Sequence, residues 1–177
     1  MFRLSNFMRE VMSPGSIRPA TKPPGPVVIW NLVRRCNLAC RHCYSGSADR
    51  DFAGELSTDE VRTAMADLRR FGVPALILSG GEPLLRPDIF DLAAEAKRLG
   101  FHASLSTNGT LIDAALADRI KAAGFDYVGI SLDGIGAVHD RFRGQDGAYA
   151  KSLAALRLCR DSRVAGSPEP SGAQTTT

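Results

Sequence analysis

A chain of 177 residues, 44% hydrophobic and 23% charged, is long enough to bury one substantial core, so a single domain is expected. Its net charge of +3 includes no continuous Lys/Arg stripe, which argues against a nucleic-acid surface. No stretch is long and apolar enough to span a membrane, and residues 1–12 interrupt their apolar side chains with Arg3, Arg9 and Glu10, so no signal peptide and a cytoplasmic location are expected.

In chain order, residues 1–26 read as an N-terminal extension ending in the proline-rich "PGSIRPATKPPGP", which cannot be helical and leads extended into the first strand. The runs "PVVIWNLV" (26–33), "PALILS" (74–79), "FHASLS" (101–106) and "FDYVGISL" (125–132) are rich in β-branched or aromatic residues and have the length of buried strands. Stretches with helical spacing separate them. Val61, Ala64, Met65, Leu68 and Phe71 form the first stripe, Ile89, Leu92, Ala93, Ala96 and Leu99 the second, and Leu116, Ile120 and Ala123 the third. A fourth helix is expected over about 147–160, and the Gly, Ser, Pro and Thr-rich remainder, 161–177, is expected to be a disordered tail.

Helix ends are marked as well. "STDE" (57–60) is a capping box, Pro87 and Asp113 suit first-turn or cap positions, and Gly72, Gly100 and Gly124 stand where a left-handed residue ends each helix. Strand and helix alternating in this way demand parallel pairing, so the fold class is α/β, either an open sheet or part of a (β/α) barrel spanning 27–160.

Four motifs fall at the carboxyl ends of the four predicted strands: "RRCNLACRHCYSG", "SGGEP" (79–83), "STNG" (106–109) and "SLDG" (131–134). That edge of a parallel sheet is where loops converge to build ligand sites. Each of the last three alone is ordinary turn chemistry, and their common placement beside a cysteine cluster is what points to a site. Cys36, Cys40 and Cys43 crowd into one loop, and the only other cysteine, Cys159, sits in a helical run as a buried structural thiol. A structural zinc site would need a fourth ligand, for which His42, His102 and His139 are poorly placed. Three thiolates suit a cubane iron–sulfur cluster with one iron left open, while a non-catalytic zinc module stays the alternative.

The pattern CxxxCxxC at Cys36, Cys40 and Cys43, followed by GGEP at Gly80, Gly81, Glu82 and Pro83, resembles the radical S-adenosylmethionine (radical SAM) enzymes, over roughly 27–158. The resemblance implies a partial (β/α)6 barrel, a 4Fe–4S cluster held by the three cysteines, and S-adenosylmethionine bound at the open iron. Reductive cleavage would then give a 5′-deoxyadenosyl radical, with electrons from a donor such as ferredoxin or flavodoxin. It further implies that Gly80 to Pro83 meet the methionine amine, with Glu82 as an acceptor, that Ser131 and Asp133 hold the ribose, and that Ser106, Thr107 and Asn108 line the floor. His42 would pack near adenine. Arg143 of "HDRFRG" would meet the methionine carboxylate, unless it is an exposed helical arginine.

Within that family the chain is similar to the branch that modifies tetrapyrroles in heme d1 biosynthesis, which implies a sirohaem-derived substrate whose propionates become oxo groups. A peptide-modifying radical SAM enzyme is the neighbouring reading. The family barrel has six strands and commonly a further cysteine-bearing domain, whereas four strands are counted here. A truncated core is therefore expected, poorly active and inclined to associate through the edge of its fourth strand.

Overall fold

The computed structural model describes residues 25–161. The extension and lead-in expected over 1–26, except its last two residues, and the tail expected over 161–177, except its first, lie outside the described residues. In chain order the elements are β1 (Val27–Asn31), α1 (Thr58–Phe71), β2 (Ala75–Ser79), a short 3-10 turn (Pro83–Leu85), α2 (Ile89–Arg98), β3 (His102–Thr107), α3 (Ala114–Ala122), β4 (Tyr127–Ile130), α4 (Ala137–Arg143) and α5 (Ala148–Asp161).

The four strands form one parallel sheet in the order β1-β2-β3-β4. Because side chains alternate across a strand, the register sorts the residues onto two faces. Leu76, Leu78, Ala103 and Leu105 point to the buried face and join Val61, Met65, Leu92, Ala96 and Ile120 of the helices in one core. The other face carries Val27, Ile29, Ile77, Ser104 and Ser106, and here Val27 is 51% and Ile29 65% exposed. Among the described residues the helices therefore cover one side, and on the other, which would be a barrel interior, Val27 and Ile29 are exposed.

The helix signals act as the sequence suggests. The Ser57 hydroxyl accepts from the Glu60 amide at 3.4 Å while the Glu60 carboxylate accepts from Ser57 N at 2.8 Å, so two orphan donors of the first turn are satisfied. Gly72 ends α1 at φ 96°, and Asp113 caps α3 by accepting from Leu116 N at 2.8 Å. Three details differ. Phe71, placed on the buried stripe by its spacing, is 77% exposed because α1 ends there and its last turn overhangs the core. Pro87 lies one residue before Asp88, the N-cap of α2. A separate helix, α4, precedes α5 where the sequence predicted only one.

The long segment between β1 and α1 is fastened by Arg86. Its guanidinium, 7% exposed, donates to Leu32 O at 2.9 Å, to Leu56 O at 3.0 Å and to both carboxylate oxygens of Asp88. With four of its five donors bonded in this way and its charge paired with Asp88, this buried arginine holds two loops to the sheet edge.

Candidate active site

The site begins where β1 and β2 continue pairing beyond their strand ends. Leu32 N donates to Ser79 O at 2.9 Å, Gly81 N to Val33 O at 2.6 Å and Glu82 N to Arg35 O at 2.8 Å, which lays the GGEP segment along residues 32–35. The two glycines are needed for this approach. A Cβ on Gly80, whose φ is 156°, would lie 2.4 Å from Val33 O, and one on Gly81 2.4 Å from Arg35 O. Their bareness thus serves the packing of this chain as well as any ligand above it.

The cysteine loop leaves from this ladder. Cys36 is 6% exposed, its amide donates to Ala48 O at 3.1 Å, and its sulfur accepts from Leu38 N at 3.4 Å. Burial pushes its thiol pKa up, and the nearby Glu82 charge adds to that. Cys40 is half-buried and Cys43 exposed, and all three thiols are free. At Cys43 partial burial pushes upward, but hydrogen bonds from the Ser45 hydroxyl and the Ser47 and Ser45 amides prevail, lowering the pKa to about 7. Among the described residues no three His, Cys, Asp or Glu side chains are gathered as a single-ion site. The three cysteines instead share the wall of one cavity of about 460 Å³.

That cavity brings together most of the predicted site. Gly80, Gly81, Ser106, Thr107, Asn108, Ser131, Asp133, His42 and Arg143 all line it with the three cysteines. Glu82 and Pro83 do not. Glu82 is fully buried beneath the wall, where Oε1 accepts from the Thr107 hydroxyl at 2.8 Å and Leu84 N at 3.1 Å, and Oε2 from Asn108 N at 2.8 Å. Burial raises its pKa, while those three donors and the charge of Arg143 pull the other way. The carboxylate expected to face a ligand is occupied in tying the β2 loop to the β3 loop, and Pro83 is buried at the start of the 3-10 turn.

The adjoining wall is built from the β4 loop and α4. Arg143, the last residue of α4, is only 11% exposed at its side chain, so it is not a solvated helical arginine. Its Nε stands 2.6 Å from Asp133 Oδ2, a close charge contact that lacks hydrogen-bond alignment, since neither atom has a hydrogen-bond partner. Asp133 also faces His42 Nε2 at 3.5 Å, and the His42 ring meets Phe142 edge-on at 5.6 Å. Ser131 is fixed by its amide donating to Thr107 O at 3.1 Å.

Sequence reasoning missed several supports. His139, left aside as remote, is buried under this wall, and its Nδ1 accepts from Asp133 N at 3.1 Å. Burial and then the Arg143 charge lower its pKa, and because Nδ1 accepts from a main-chain amide the ring proton belongs on Nε2. Tyr44 and Ser79 also line the cavity, and adjacency to Cys43 and to GGEP was the available signal. Asn37, whose Nδ2 donates to Thr110 Oγ1 at 2.8 Å, links the cysteine loop to the β3 loop with no sequence signature. Cys159 lies in the core at 4% exposure, as expected of a structural thiol.

Residues 30–167, well over half of the chain, match the radical SAM superfamily. The chain belongs to this family. It is 56% identical over 160 residues to the pre-heme d1 synthase of Dinoroseobacter shibae, covering 90% of this chain and 40% of that protein. It is 46% identical to the Fe-coproporphyrin III synthase of Methanosarcina barkeri, covering 85% of this chain and 38% of the relative. The chain therefore spans about two fifths of the length of these curated relatives. Among solved structures, anSMEcpe with bound AdoMet superposes with a TM-score of 0.65 at 26% identity, covering 81% of this chain and 42% of that one. The partial α/β barrel is thus the family's fold, and the family works with a 4Fe–4S cluster and S-adenosylmethionine. The residues present fit those groups. Three free thiols open onto one cavity, and the wall beside them holds the half-buried Arg143 and Asp133, whose facing atoms lack hydrogen-bond partners.

Proposed function

We propose that this chain forms the cofactor-binding part of a radical SAM enzyme acting on a tetrapyrrole in heme d1 biosynthesis, with Cys36, Cys40 and Cys43 holding the cluster. The observation that carries this reading is the convergence of the three cysteines, Gly80, Gly81, Ser131, Asp133 and Arg143 on a single cavity at the carboxyl ends of the strands. The similarity to pre-heme d1 synthase supports the tetrapyrrole over a peptide as substrate. When bound, the cluster and S-adenosylmethionine supply one-electron cleavage of a sulfonium, giving a 5′-deoxyadenosyl radical that can take a hydrogen atom from a substrate.

The chain's own residues bind and orient. Gly80 and Gly81 offer bare backbone to the methionine amine, and Arg143 offers its remaining guanidinium donors to the methionine carboxylate. Ser131 and Asp133 receive the ribose, His42 packs at the adenine edge, and Ser106, Thr107 and Asn108 form the floor. Glu82 acts from below, holding Thr107 and Asn108 in place through the bonds given above. Electrons come from a low-potential donor of the ferredoxin or flavodoxin type. Among the described residues no helix is long and apolar enough to cross a membrane, in keeping with work in the cytoplasm.

The test is anaerobic incubation of the reconstituted, reduced protein with S-adenosylmethionine and either a propionate-bearing tetrapyrrole derived from sirohaem or a precursor peptide. Mass spectrometry should detect 5′-deoxyadenosine at a low rate, with a yield that rises when the tetrapyrrole is present. Stimulation by the peptide alone would overturn the substrate assignment.

A further inference from the structure

Two side chains from outside the cysteine loop aim donors at its sulfurs. Asn108 Nδ2 lies 3.9 Å from Cys36 Sγ, and Arg143 Nη1 lies 3.8 Å from Cys40 Sγ. They come from different elements, the loop after β3 and the last turn of α4.

Neither donor is loosely placed. Asn108 is 6% exposed, and its Oδ1 accepts from Thr110 N at 2.8 Å and from Thr110 Oγ1 at 2.7 Å. With two donors fixed on Oδ1, the amide has one orientation, and Nδ2 must face Cys36 and Asn37 Oδ1, the latter at 3.0 Å. The main chain of the same residue is anchored twice, its amide on Glu82 at 2.8 Å and its carbonyl by the Ser152 hydroxyl at 2.8 Å. Arg143 is set by its helix. Arg41 N donates to Phe142 O at 2.9 Å, and Gly144 approaches the cysteine loop so closely that a Cβ there would lie 2.6 Å from Ala39 O.

We propose that Asn108 and Arg143 are positioning residues that raise the reduction potential of the cluster held by Cys36, Cys40 and Cys43. Hydrogen bonds and positive charge at cluster sulfurs favour the reduced, more negative state, so each donor makes entry of one electron from an external low-potential reductant easier. At Arg143 the Asp133 carboxylate offsets part of the charge, and at Cys36 the buried Glu82 carboxylate, bonded to the Asn108 main-chain amide, acts against the side-chain dipole. This rests on the cluster reading. A parent protein that takes up no iron and sulfide would fail that reading before any variant is compared.

The experiment is a redox titration of the reconstituted protein without S-adenosylmethionine, following the paramagnetic signal of the reduced cluster against solution potential. Asn108→Ala and Arg143→Gln should each lower the midpoint, and Arg143→Lys should recover most of the loss at that position. Ser152→Ala, which loosens the main chain of the same loop without touching the side-chain amide, should leave the midpoint at the parent value. Unchanged midpoints in both donor variants, or a Ser152→Ala shift as large as that of Asn108→Ala, would overturn the proposal. If Asn108→Ala holds no cluster, Asn108→Leu replaces it, since it is close in size and carries neither a donor nor a charge, and a lowering is again expected. Loss of the cluster in every variant would show that these residues only hold the loop, and would also overturn it.

Discussion

Replacing Glu82 by alanine removes a carboxylate that touches no solvent and accepts from Leu84 N, Thr107 Oγ1 and Asn108 N. Two buried amides left without acceptors cost about 1–3 kcal/mol each, and the Thr107 hydroxyl adds to this unless it turns to another acceptor. Relief of the desolvated carboxylate offsets part, so the net loss of folding stability is about 2–4 kcal/mol. With a urea slope of about 2 kcal/mol per molar, the unfolding midpoint should fall by about 1–2 M, read by circular dichroism. Glu82→Gln keeps the shape but turns an amide NH2 toward one of the donors, at a cost of about 1–2 kcal/mol near neutral pH. The sign of the pH effect follows from the raised folded-state pKa: above the ordinary value of 4.5, the native carboxyl keeps a proton that the unfolded chain releases. Stability contributed by this group therefore declines as pH rises through the window above 4.5, and the gap between the parent and Glu82→Gln should narrow in that direction. A midpoint for Glu82→Ala within about 0.3 M of the parent would refute the bracing role, because it would mean that the three donors find other partners at no cost.

Four further outcomes are expected. Cys36→Ala, Cys40→Ala and Cys43→Ala should each abolish iron uptake, while Cys159→Ala should leave it intact with a modest stability loss of about 1 kcal/mol from the small core cavity; iron analysis and thermal melts check both. In the metal-free protein, alkylation followed by mass spectrometry should modify Cys43 first, with a rate rising with pH through about 7, and Cys36 last, because its thiol is buried and its pKa raised. Gly81→Ala should destabilise the fold by about 1–3 kcal/mol or more in urea titration, since its Cβ would strike backbone oxygen atoms that cannot swing away. Asp126, which accepts from Lys97 Nζ and Ala103 N, has a lowered pKa, so its stabilisation holds above the ordinary 3.8 and is lost as pH falls through the folded value; Asp126→Asn should flatten the acid limb of the stability curve.

The sheet was legible because each strand is a short β-branched or aromatic run and each helix carries its own caps. Ser57 with Glu60, Asp113 and Gly72 are local devices, so the sequence alone reveals them. The cavity was legible for a different reason: parallel topology forces the four motif loops to one edge, and no side-chain detail is needed to infer that. What stayed hidden depends on which way a side chain turns. Glu82 reads as a ligand contact in sequence, yet the close approach of Gly80 and Gly81 to residues 33–35 leaves it pointing under the floor. Helix α4 has only seven residues and a Gly136 N-cap with no side-chain bond, so neither periodicity nor capping marked it. The His139 and Asn37 contacts bridge residues on different loops, a relation that spacing along the chain does not encode.

In the function proposed above, Cys36, Cys40 and Cys43 hold one cluster with an iron left open to S-adenosylmethionine. The most direct measurement is anaerobic reconstitution with iron and sulfide, metal analysis of the purified protein, and the paramagnetic spectrum of the reduced cluster before and after S-adenosylmethionine is added. About four iron and four sulfide per chain are expected, with a spectrum that changes when the ligand binds. Stoichiometric zinc without iron uptake, or a full cluster whose spectrum ignores saturating S-adenosylmethionine, would contradict that function.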